Sequence, residues 1–271
     1  MVVDNIAVGR LAANHLADLG LRNLAFVPSK GEPHYSIKRF EGFQAAAKER
    51  GIDCLKFDPD LAETEPAIAE WIAKLPEPIG LMAVNDREAL YVSRACRRAR
   101  KKVPEQVAII GVDNETETCR LADPPLSSID HGTRRIGYEA AQLLDGWMTT
   151  GQRPANSIYV QPIGVVSRPS TDLLAVDDPE VVTALRFIRS HADEPLKVRD
   201  VLGYVNMSRR SLEMHFQRAI SRTIHDEIMR VRIDRAKQLL ISSDWSIVHV
   251  ADACGFALPS QFSYAFRRET G

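Results

Sequence analysis

The last quarter of the chain carries one helix–turn–helix pattern twice, and this duplication restricts the possible fold more than any other feature. The first copy spans residues 197–217 and the second spans residues 246–268. One long amphipathic segment, at residues 224–241, lies between them. In each copy apolar residues recur at helical spacing on one face, which is typical of a helix packed on one side. The pattern predicts an all-α unit made of two helix pairs and one connecting helix.

The first copy contains a turn between two short helices. Its first helix has an apolar face formed by Val198, Val201, Leu202 and Val205. Asn206 follows, and because Asn tolerates the left-handed conformation we expect it to make the turn. Ser208 is placed to cap the second helix, and Leu212 and Phe216, four residues apart, are expected to point inward. The outward positions of the second helix are then Arg209, Arg210, Glu213 and Met214.

The second copy repeats this plan with different residues. Its first helix has an apolar face of Ile247, Val250 and Ala251. Gly255 is expected to make the turn and Phe256 to fill the junction between the helices. Pro259 suits the first position of a helix, with Phe262 and Phe266 facing the core. The outward positions are Ser260, Gln261, Ser263 and Tyr264.

Outward residues on the second helix of such a pair are the ones that meet base edges in the major groove of DNA. The candidates are Ser208, Arg209, Arg210, Glu213, Met214, Ser260, Gln261 and Tyr264, with Arg218, Arg267 and Arg268 as phosphate anchors. Charge favours the same interpretation, because residues 181–271 hold 14 Lys and Arg against 10 Asp and Glu in a chain of net charge −1. An ordinary solvated face is the alternative explanation of that charge.

These segments resemble the AraC-type transcription regulators. The resemblance runs through SRRSLEMHF, RIDRAKQLLISS, VADACGF and FSYAFRRETG, in that order. It implies a double helix–turn–helix domain, at residues 173–271, that binds double-stranded DNA, with a homodimer and a contact to RNA polymerase as further expectations. Two positions depart from the family pattern, Leu258 at a usual polar cap and Met214 at a frequent Arg. The resemblance also implies that the C-terminal end is truncated.

The first 170 residues alternate between predicted helices and short apolar strands. Predicted strands lie at 23–28, 54–57, 79–84, 107–112, 126–129 and 158–166. Predicted helices lie at 5–19, 37–51, 66–74, 86–101 and 133–150. Strands that alternate with helices indicate a parallel sheet covered on both faces.

Several classes of protein are disfavoured by what the sequence lacks. It has neither a GxGxxG nor a GxxxxGK[ST] motif, so no phosphate-cradling loop is predicted. The four cysteines are scattered without a CxxC pair, which argues against zinc and favours buried free thiols. We therefore expect no cofactor and no metal. No run reaches the roughly 20 apolar residues of a membrane span, and the composition favours a cytoplasmic protein of two domains.

Polar residues follow the predicted strands where a parallel sheet binds its ligands. Carboxylates, amides and a guanidinium at one edge form a set that grips sugar hydroxyls. The candidates are Arg39, Asn85, Asp86, Asp113, Asn114 and His131. Simpler roles stay open: Asp86 and Asp113 could cap the helices that follow them, His131 could be a structural histidine, and Arg39 could form a surface ion pair.

A second resemblance covers residues 4–169 and concerns the ligand-binding cores of LacI-type repressors. It runs through DNIAVGRLAANHL, KRFEGFQAA, AVNDREAL, VAIIGVDN and LSSIDHGTRRIGYEAAQLL. Such cores are similar to periplasmic sugar-binding proteins, in which two α/β lobes close on a sugar. The resemblance places Arg39, Asp86, Asp113 and His131 at ligand-contacting positions, with Asn85 and Asn114 beside them. It also implies a partial core, at residues 1–172, with most of its N-terminal lobe missing.

A LacI-type core followed by an AraC-type domain is an arrangement that resembles the xylose-operon regulators. The resemblance implies a sugar effector, D-xylose, and activation of sugar-catabolism genes. Two other hypotheses stay open. One is a carbohydrate-acting enzyme, although no nucleophile elbow or metal cluster is present. The other is a DNA-binding module whose effector domain is non-functional or takes a different ligand.

Overall fold

The chain folds into two compact units, residues 1–173 and residues 174–271. The structure is a computed structural model. It describes residues 1–61, 64–151, 157–173, 178–220 and 222–270, except for the side chains of residues 238, 241, 242 and 270.

The first unit is built on a six-stranded sheet whose strand order is β3-β2-β4-β5-β6-β8. The strands are β1 (Val2–Val3), β2 (Leu24–Val27), β3 (Cys54–Lys56), β4 (Ile79–Ala83), β5 (Val107–Val112), β6 (Ser127–Asp130), β7 (Tyr159–Val160) and β8 (Gly164–Val166). Strands β2 to β6 run parallel, and β8 pairs with β6 antiparallel. Strands β1 and β7 form a separate parallel pair. The carboxyl ends of four neighbouring strands, β2, β4, β5 and β6, therefore meet at one edge.

Helices cover both faces of this sheet, as the alternation of elements predicts. They are α1 (Asn5–Asp18), α2 (His34–Glu49), α3 (Glu65–Ile72), α4 (Asp86–Arg98) and α5 (Thr116–Leu121). Helix α6 (Thr133–Thr150) follows β6 and has no buried residue. Ala25 and Val27 of β2 belong to a core with residues of α3 and α4. Phe26 lies between them in the strand and packs on Phe43 of α2. Because successive side chains of a strand point to opposite faces, α2 and α3 lie on opposite sides.

The first unit differs from the prediction in two places. Residues 158–166 are not one strand, because β7 and β8 belong to different sheets. Pro162, which has no backbone N–H to donate to a ladder, lies between them. Helix α5 was not expected at all, since its six residues are too short for an apolar face to appear in the sequence.

Two glycines allow α1 and α2 to cross closely. A Cβ on Gly9 of α1 would lie 1.9 Å from the carbonyl oxygen of Arg39, and one on Gly42 of α2 would lie 2.1 Å from that of Ile6. Such distances exclude any side chain. The crossing brings Asn5, the first residue of α1, against the middle of α2.

The second unit is all helical. Its helices are α7 (Pro179–Ser190), α8 (Val198–Tyr204), α9 (Arg209–Ile220), α10 (Ile224–Ser242), α11 (Ile247–Ala253) and α12 (Pro259–Thr270). Leu212 and Phe216 of α9 lie in a core with α7 and α8. Phe262 of α12 lies in another core with α11. Met229 of α10 packs against both cores, so α10 joins the two helix pairs.

The turns of the two pairs differ from each other in a way that the sequence did not indicate. Gly255 has φ of 70°, as expected for the turn of the second pair. Asn206 does not have a positive φ, so the prediction of a left-handed turn at this residue is wrong. Its N–H instead bonds to Glu180 Oε2 at 3.2 Å. Ile247, predicted inside, is 50% exposed because the first turn of α11 projects from the core.

No helix in the described part of the chain is both long enough and apolar enough to span a membrane.

Candidate functional site

Three predicted residues from different elements meet at the carboxyl edge of the large sheet. Asp113 follows β5, His131 follows β6, and Arg39 lies in α2. Asp113 Oδ1 lies 3.0 Å from His131 Nε2 and 3.7 Å from Arg39 Nη2. The Asp113 side chain stays 31% exposed. One carboxylate therefore has a guanidinium and an imidazole beside it and one side open.

Arg39 is almost completely buried, with 5% of its surface exposed. Its Nε donates to Asn5 Oδ1 at 2.9 Å, and its Nη1 donates to the carbonyl oxygen of Val84. The guanidinium also lies 5.3 Å from the ring centroid of Tyr35, one helical turn earlier. Burial lowers the pKa of Arg39, while the charge of Asp113 acts in the opposite direction. The alternative of a surface ion pair is wrong, because this side chain is fixed inside the unit.

The backbone at Asp113 and Asn114 is held in an uncommon conformation. Their φ angles are 108° and 55°. Such strain persists only where the surroundings fix it. The N–H of Asn114 donates to Ser128 Oγ at 3.0 Å, and its side-chain amide donates to Asp130 Oδ2 at 3.2 Å. Arg168 Nη2 donates to Asn114 Oδ1 at 2.7 Å. The Asn114 side chain is thus occupied in holding the loop that carries Asp113.

Asp86 lies beneath the site, not at its surface. It is 0% exposed, and its carboxylate accepts from the N–H of Glu115 at 2.8 Å and from Ser128 Oγ at 2.6 Å. Cys119 Sγ adds a third contact at 3.4 Å. Gly111 leaves room for it, since a Cβ there would lie 2.2 Å from Asp86 Oδ1. Burial raises the pKa of Asp86 to about 6, against the lowering effect of its donors.

Neither predicted aspartate caps the helix that follows it. The cap of α4 is Asn85, whose Oδ1 accepts from the N–H of Glu88 at 2.8 Å. Residue 115 precedes α5 without a side-chain cap bond. The expectation that Asp86 contacts a ligand directly must be revised, because a carboxylate without exposed surface can act only through its neighbours. Asn85 keeps its amide N–H₂ for other partners.

Several residues of this arrangement were not predicted. Tyr35 packs on Arg39 and its hydroxyl lies 3.0 Å from Ser29 Oγ. A signal existed for Tyr35, since residues four apart on a helix share a face. The sequence has no such signal for Ser128 and Arg168. These residues reach the site because β6 pairs with β5 and β8.

The arrangement suits a neutral polyol better than a charged ligand. An open carboxylate accepts from two hydroxyl groups, and a buried guanidinium donates to oxygen. His131 Nδ1 is buried and has no hydrogen-bond partner within the described residues. Among those residues there is also no group of three His, Cys, Asp or Glu side chains placed to hold a metal ion.

The second unit offers an exposed polar surface on α9 and α12. Exposed side chains there are Arg209, Arg210, Met214, Arg218, Ser260, Gln261, Tyr264, Arg267 and Arg268. Tyr264 is 71% exposed. Arg268 has a local partner, with Nη2 2.9 Å from Glu269 Oε1. Both helix pairs thus expose, on their second helix, side chains of the kinds that bind DNA.

Two of the predicted DNA-contacting residues have structural bonds. Ser208 Oγ accepts from the N–H of Ser211 at 3.3 Å, as its predicted capping role requires. Glu213 is half-buried, and its Oε2 accepts from the N–H of Ile224 at 3.4 Å. A carboxylate at the start of α10 also complements the helix dipole. Glu213 therefore links the first helix pair to α10.

Comparisons with known proteins agree with this two-part architecture. Residues 13–171 match the periplasmic binding protein-like domain, and residues 202–271 match a helix-turn-helix domain. The xylose operon regulatory protein of Haemophilus influenzae is 33% identical, over 99% of this chain and 72% of its own length. That of Escherichia coli K12 is 33% identical over 99% of this chain and 70% of its length.

The chain belongs to the xylose operon regulator family.

A solved structure from this family also matches the whole fold. The structure of the xylose-binding transcription activator XylR has a TM-score of 0.59 and 30% identity, covering 99% of this chain and 73% of that one. The predicted fold class, a periplasmic-binding-protein-like core followed by an AraC-type helix-turn-helix domain, is confirmed. Like its relatives in the xylose operon regulator family, the chain is a sugar-responsive, DNA-binding transcription regulator and not an enzyme.

Proposed function

We propose that the chain is a pentose-dependent activator of sugar-catabolism genes and that its effector is D-xylose. The observation that carries this proposal is the cluster of Arg39, Asp113 and His131 at the carboxyl edge of the sheet. The structurally similar XylR is a xylose-binding transcription activator, which supports the choice of sugar and the direction of regulation.

Each residue of the cluster has a distinct role in the proposed site. Asp113 accepts hydrogen bonds from two neighbouring sugar hydroxyls, because its carboxylate keeps an open side. Arg39 donates to a ring or hydroxyl oxygen, and its burial keeps it in one orientation. His131 and the amide of Asn85 complete the polar set. Asp86 and Asn114 act indirectly, by fixing the loop that carries Asp113.

The proposed DNA interface uses both recognition helices. Arg209, Arg210, Gln261 and Tyr264 meet base edges, with Met214 and Ser260 beside them. Ser208 and Glu213 position the first helix, and Arg218, Arg267 and Arg268 contact phosphates. Helix α10 has 19 residues and spans roughly 28 Å at 1.5 Å per residue. Two successive major grooves on one face of DNA are about 34 Å apart, which a spacer of this length suits.

The proposed switch couples the two units. Sugar bound at the first unit changes how the second unit is held or how two copies of the chain pair as a homodimer. The DNA-bound form then recruits RNA polymerase, and the protein works in the cytoplasm, where the DNA is. A ligand can shift such an equilibrium only by its difference in affinity for the two states.

Calorimetric titration tests the sugar part of the proposal. We expect D-xylose to bind and L-arabinose and D-ribose to bind more weakly. Asp113→Asn should lower the affinity for D-xylose about tenfold to a hundredfold, because each hydrogen bond to a charged group contributes about 1.5–3 kcal/mol. Asp145→Asn, on the exposed part of α6, is the charge-matched control and should bind normally.

Two results of this titration would redirect the proposal. Equal binding by Asp113→Asn would remove Asp113 from the site. Absence of binding for all three pentoses would indicate an effector of another class, while DNA binding by the second unit would stand.

A further inference from the structure

The first unit carries a strongly basic surface that the proposed function does not use. It lies at the end of α4 and just beyond, and consists of Arg94, Arg97, Arg98, Arg100 and Lys102. All five side chains are exposed. We refer to these five residues as the α4 basic surface.

The α4 basic surface is separate from the core-facing side of its helix. Ala89, Val92, Ala95 and Cys96 of α4 are buried in the core of the first unit. Arg94, Arg97 and Arg98 are spaced three and four residues apart, so they share the opposite, outward face. Three arginines thus start from within about one turn of the same helix, whose pitch is about 5.4 Å.

No carboxylate of the described residues forms an ion pair with these five side chains. The neighbouring Lys101 is paired, with Glu77, and that same carboxylate also accepts from Gln106. Glu77 is therefore occupied by Lys101 and Gln106. Favourable interaction with the helix dipole accounts for cations in the last turn of α4, at about 0.3–1 kcal/mol each. It does not account for Arg100 and Lys102, which follow the helix.

We propose that the α4 basic surface is a second DNA-binding site, which contacts the phosphate backbone without reading sequence. Double-stranded DNA carries one negative charge per about 3.4 Å of each strand, a density that a cluster of unpaired guanidinium groups matches. Arg binds phosphate oxygens with its planar fork of donors. The chain's own helix-turn-helix domain supplies the ligand, because DNA held there is present at high effective concentration for a tethered surface.

Salt dependence of DNA affinity tests this proposal in the full chain, without sugar. The variant Arg94→Gln/Arg97→Gln/Arg98→Gln is compared with wild type on a mixed-sequence duplex of about 60 base pairs. Each lost phosphate contact lowers the slope of log affinity against log salt by about 0.9, so three contacts lower it by about 2.7. Wild-type affinity should then fall roughly 40-fold more than that of the variant between about 50 and 200 mM salt.

Three control variants separate local contact from general charge and from the helix-turn-helix domain. Arg94→Lys/Arg97→Lys/Arg98→Lys keeps the charges and should keep most of the slope. Lys30→Gln/Lys48→Gln/Lys74→Gln removes the same formal charge from exposed positions elsewhere and should match wild type. In an Arg209→Gln/Arg210→Gln background the α4 substitutions should still lower the slope, since the second recognition helix, α12, still holds the duplex.

The proposal is overturned if the Gln variant at α4 and the distant Gln variant have the same slope as wild type. It is also overturned if the α4 variant binds DNA normally but sediments with altered self-association, because the surface would then serve an acidic face of a second copy. The proposal rests on DNA binding by the helix-turn-helix domain and not on D-xylose, so failure of sugar binding leaves this test intact.

Discussion

The buried Asp86 makes the stability of the first unit depend on pH in an unusual direction. Most carboxylates in proteins have a lowered pKa and lose stability as the pH falls. The pKa of Asp86 is raised from 3.8 to about 6 by burial. The folded state therefore holds this proton more tightly than the unfolded chain does. The contribution of Asp86 is most favourable below about pH 4 and declines as the pH rises to about 6.

We expect Asp86→Asn to remove this decline. A shift of about two pKa units corresponds to roughly 3 kcal/mol. An amide can still accept from the N–H of Glu115 and donate to Ser128 Oγ, because a hydroxyl does both. Urea unfolding at about pH 4.5 and pH 7 should show that the variant gains stability relative to wild type as the pH rises. An unchanged difference between the two proteins at both pH values would contradict the raised pKa.

At the same scale, the sequence predicted where the site residues lie but not which way they point. As predicted, Asp113 and His131 follow strands at the carboxyl edge of the sheet, and Arg39 of α2 lies beside them. Asp86 also follows a strand, yet its side chain turns inward because Gly111 opens space beneath it. In a sequence, the end of an apolar run predicts where a strand ends. The direction of the next side chain depends on neighbouring strands and is not encoded locally.

Among the elements, the turn of the second helix pair depends on one glycine. Gly255 has φ of 70°, and a Cβ there would lie 2.0 Å from the carbonyl oxygen of Glu194. Left-handed backbone costs about 1–2 kcal/mol for a residue with a side chain, and the contact adds to that cost. Arg232 packs at the same point, donating to the carbonyl oxygens of Glu194 and Leu196 at 2.8 and 3.0 Å.

Gly255→Ala should therefore destabilise the second helix pair by more than about 2 kcal/mol. Faster amide hydrogen exchange in α11 and α12 would report it. The matched control is Gly203→Ala in α8, where a Cβ would meet nothing within 4 Å. That change should be neutral or stabilising by up to about 1 kcal/mol, since Ala favours helix. Equal protection in both variants would mean that the Gly255 turn can relax.

The elements that the sequence predicted best are those with long apolar periodicity. The sequence predicts helices α1, α2 and α4 and the central strands because each has several buried positions at the spacing of its element. The short α5 and the β7–β8 break were missed, since six residues or a lone proline give no periodic signal. Asn206 was assigned a left-handed turn from its residue type alone. The bond from its N–H to Glu180 involves a residue far away in sequence and could not be anticipated.

At the scale of the whole molecule, α7 matters because it is the first helix of the second unit along the chain. Asp178 caps α7 through the N–H groups of Glu180 and Val181, at 3.1 and 3.2 Å, and also pairs with His215 of α9. Glu180 bonds to the turn at Asn206. Burial acts to raise the pKa of Asp178, but the bond from His215 and those from α7 hold it below its usual range.

The start of α7 thus holds both the turn and the recognition helix of the first helix pair. Because Asp178 pairs with His215 of α9, we expect a shift of the start of α7 to shift α9 as well. No described bond of Asp178 or Glu180 goes to α11 or α12. A signal from the sugar-binding unit is therefore expected to reach DNA through the first helix pair before the second.

This route gives a prediction for Glu180→Ala combined with His215→Ala, which removes the bond from Asn206 to Glu180 and the bond from His215 to Asp178 and leaves the Asp178 cap of α7 in place. The measured quantity is the ratio of DNA affinities with and without D-xylose. Typical couplings of 1–3 kcal/mol correspond to about 5–150-fold ratios, and we expect the variant ratio to fall toward one with unchanged D-xylose affinity. Asp193→Asn, which removes an exposed charge from the same unit, is the control and should keep the wild-type ratio. A wild-type ratio in the double variant would show that the sugar signal reaches DNA without α7, through pairing of two copies instead.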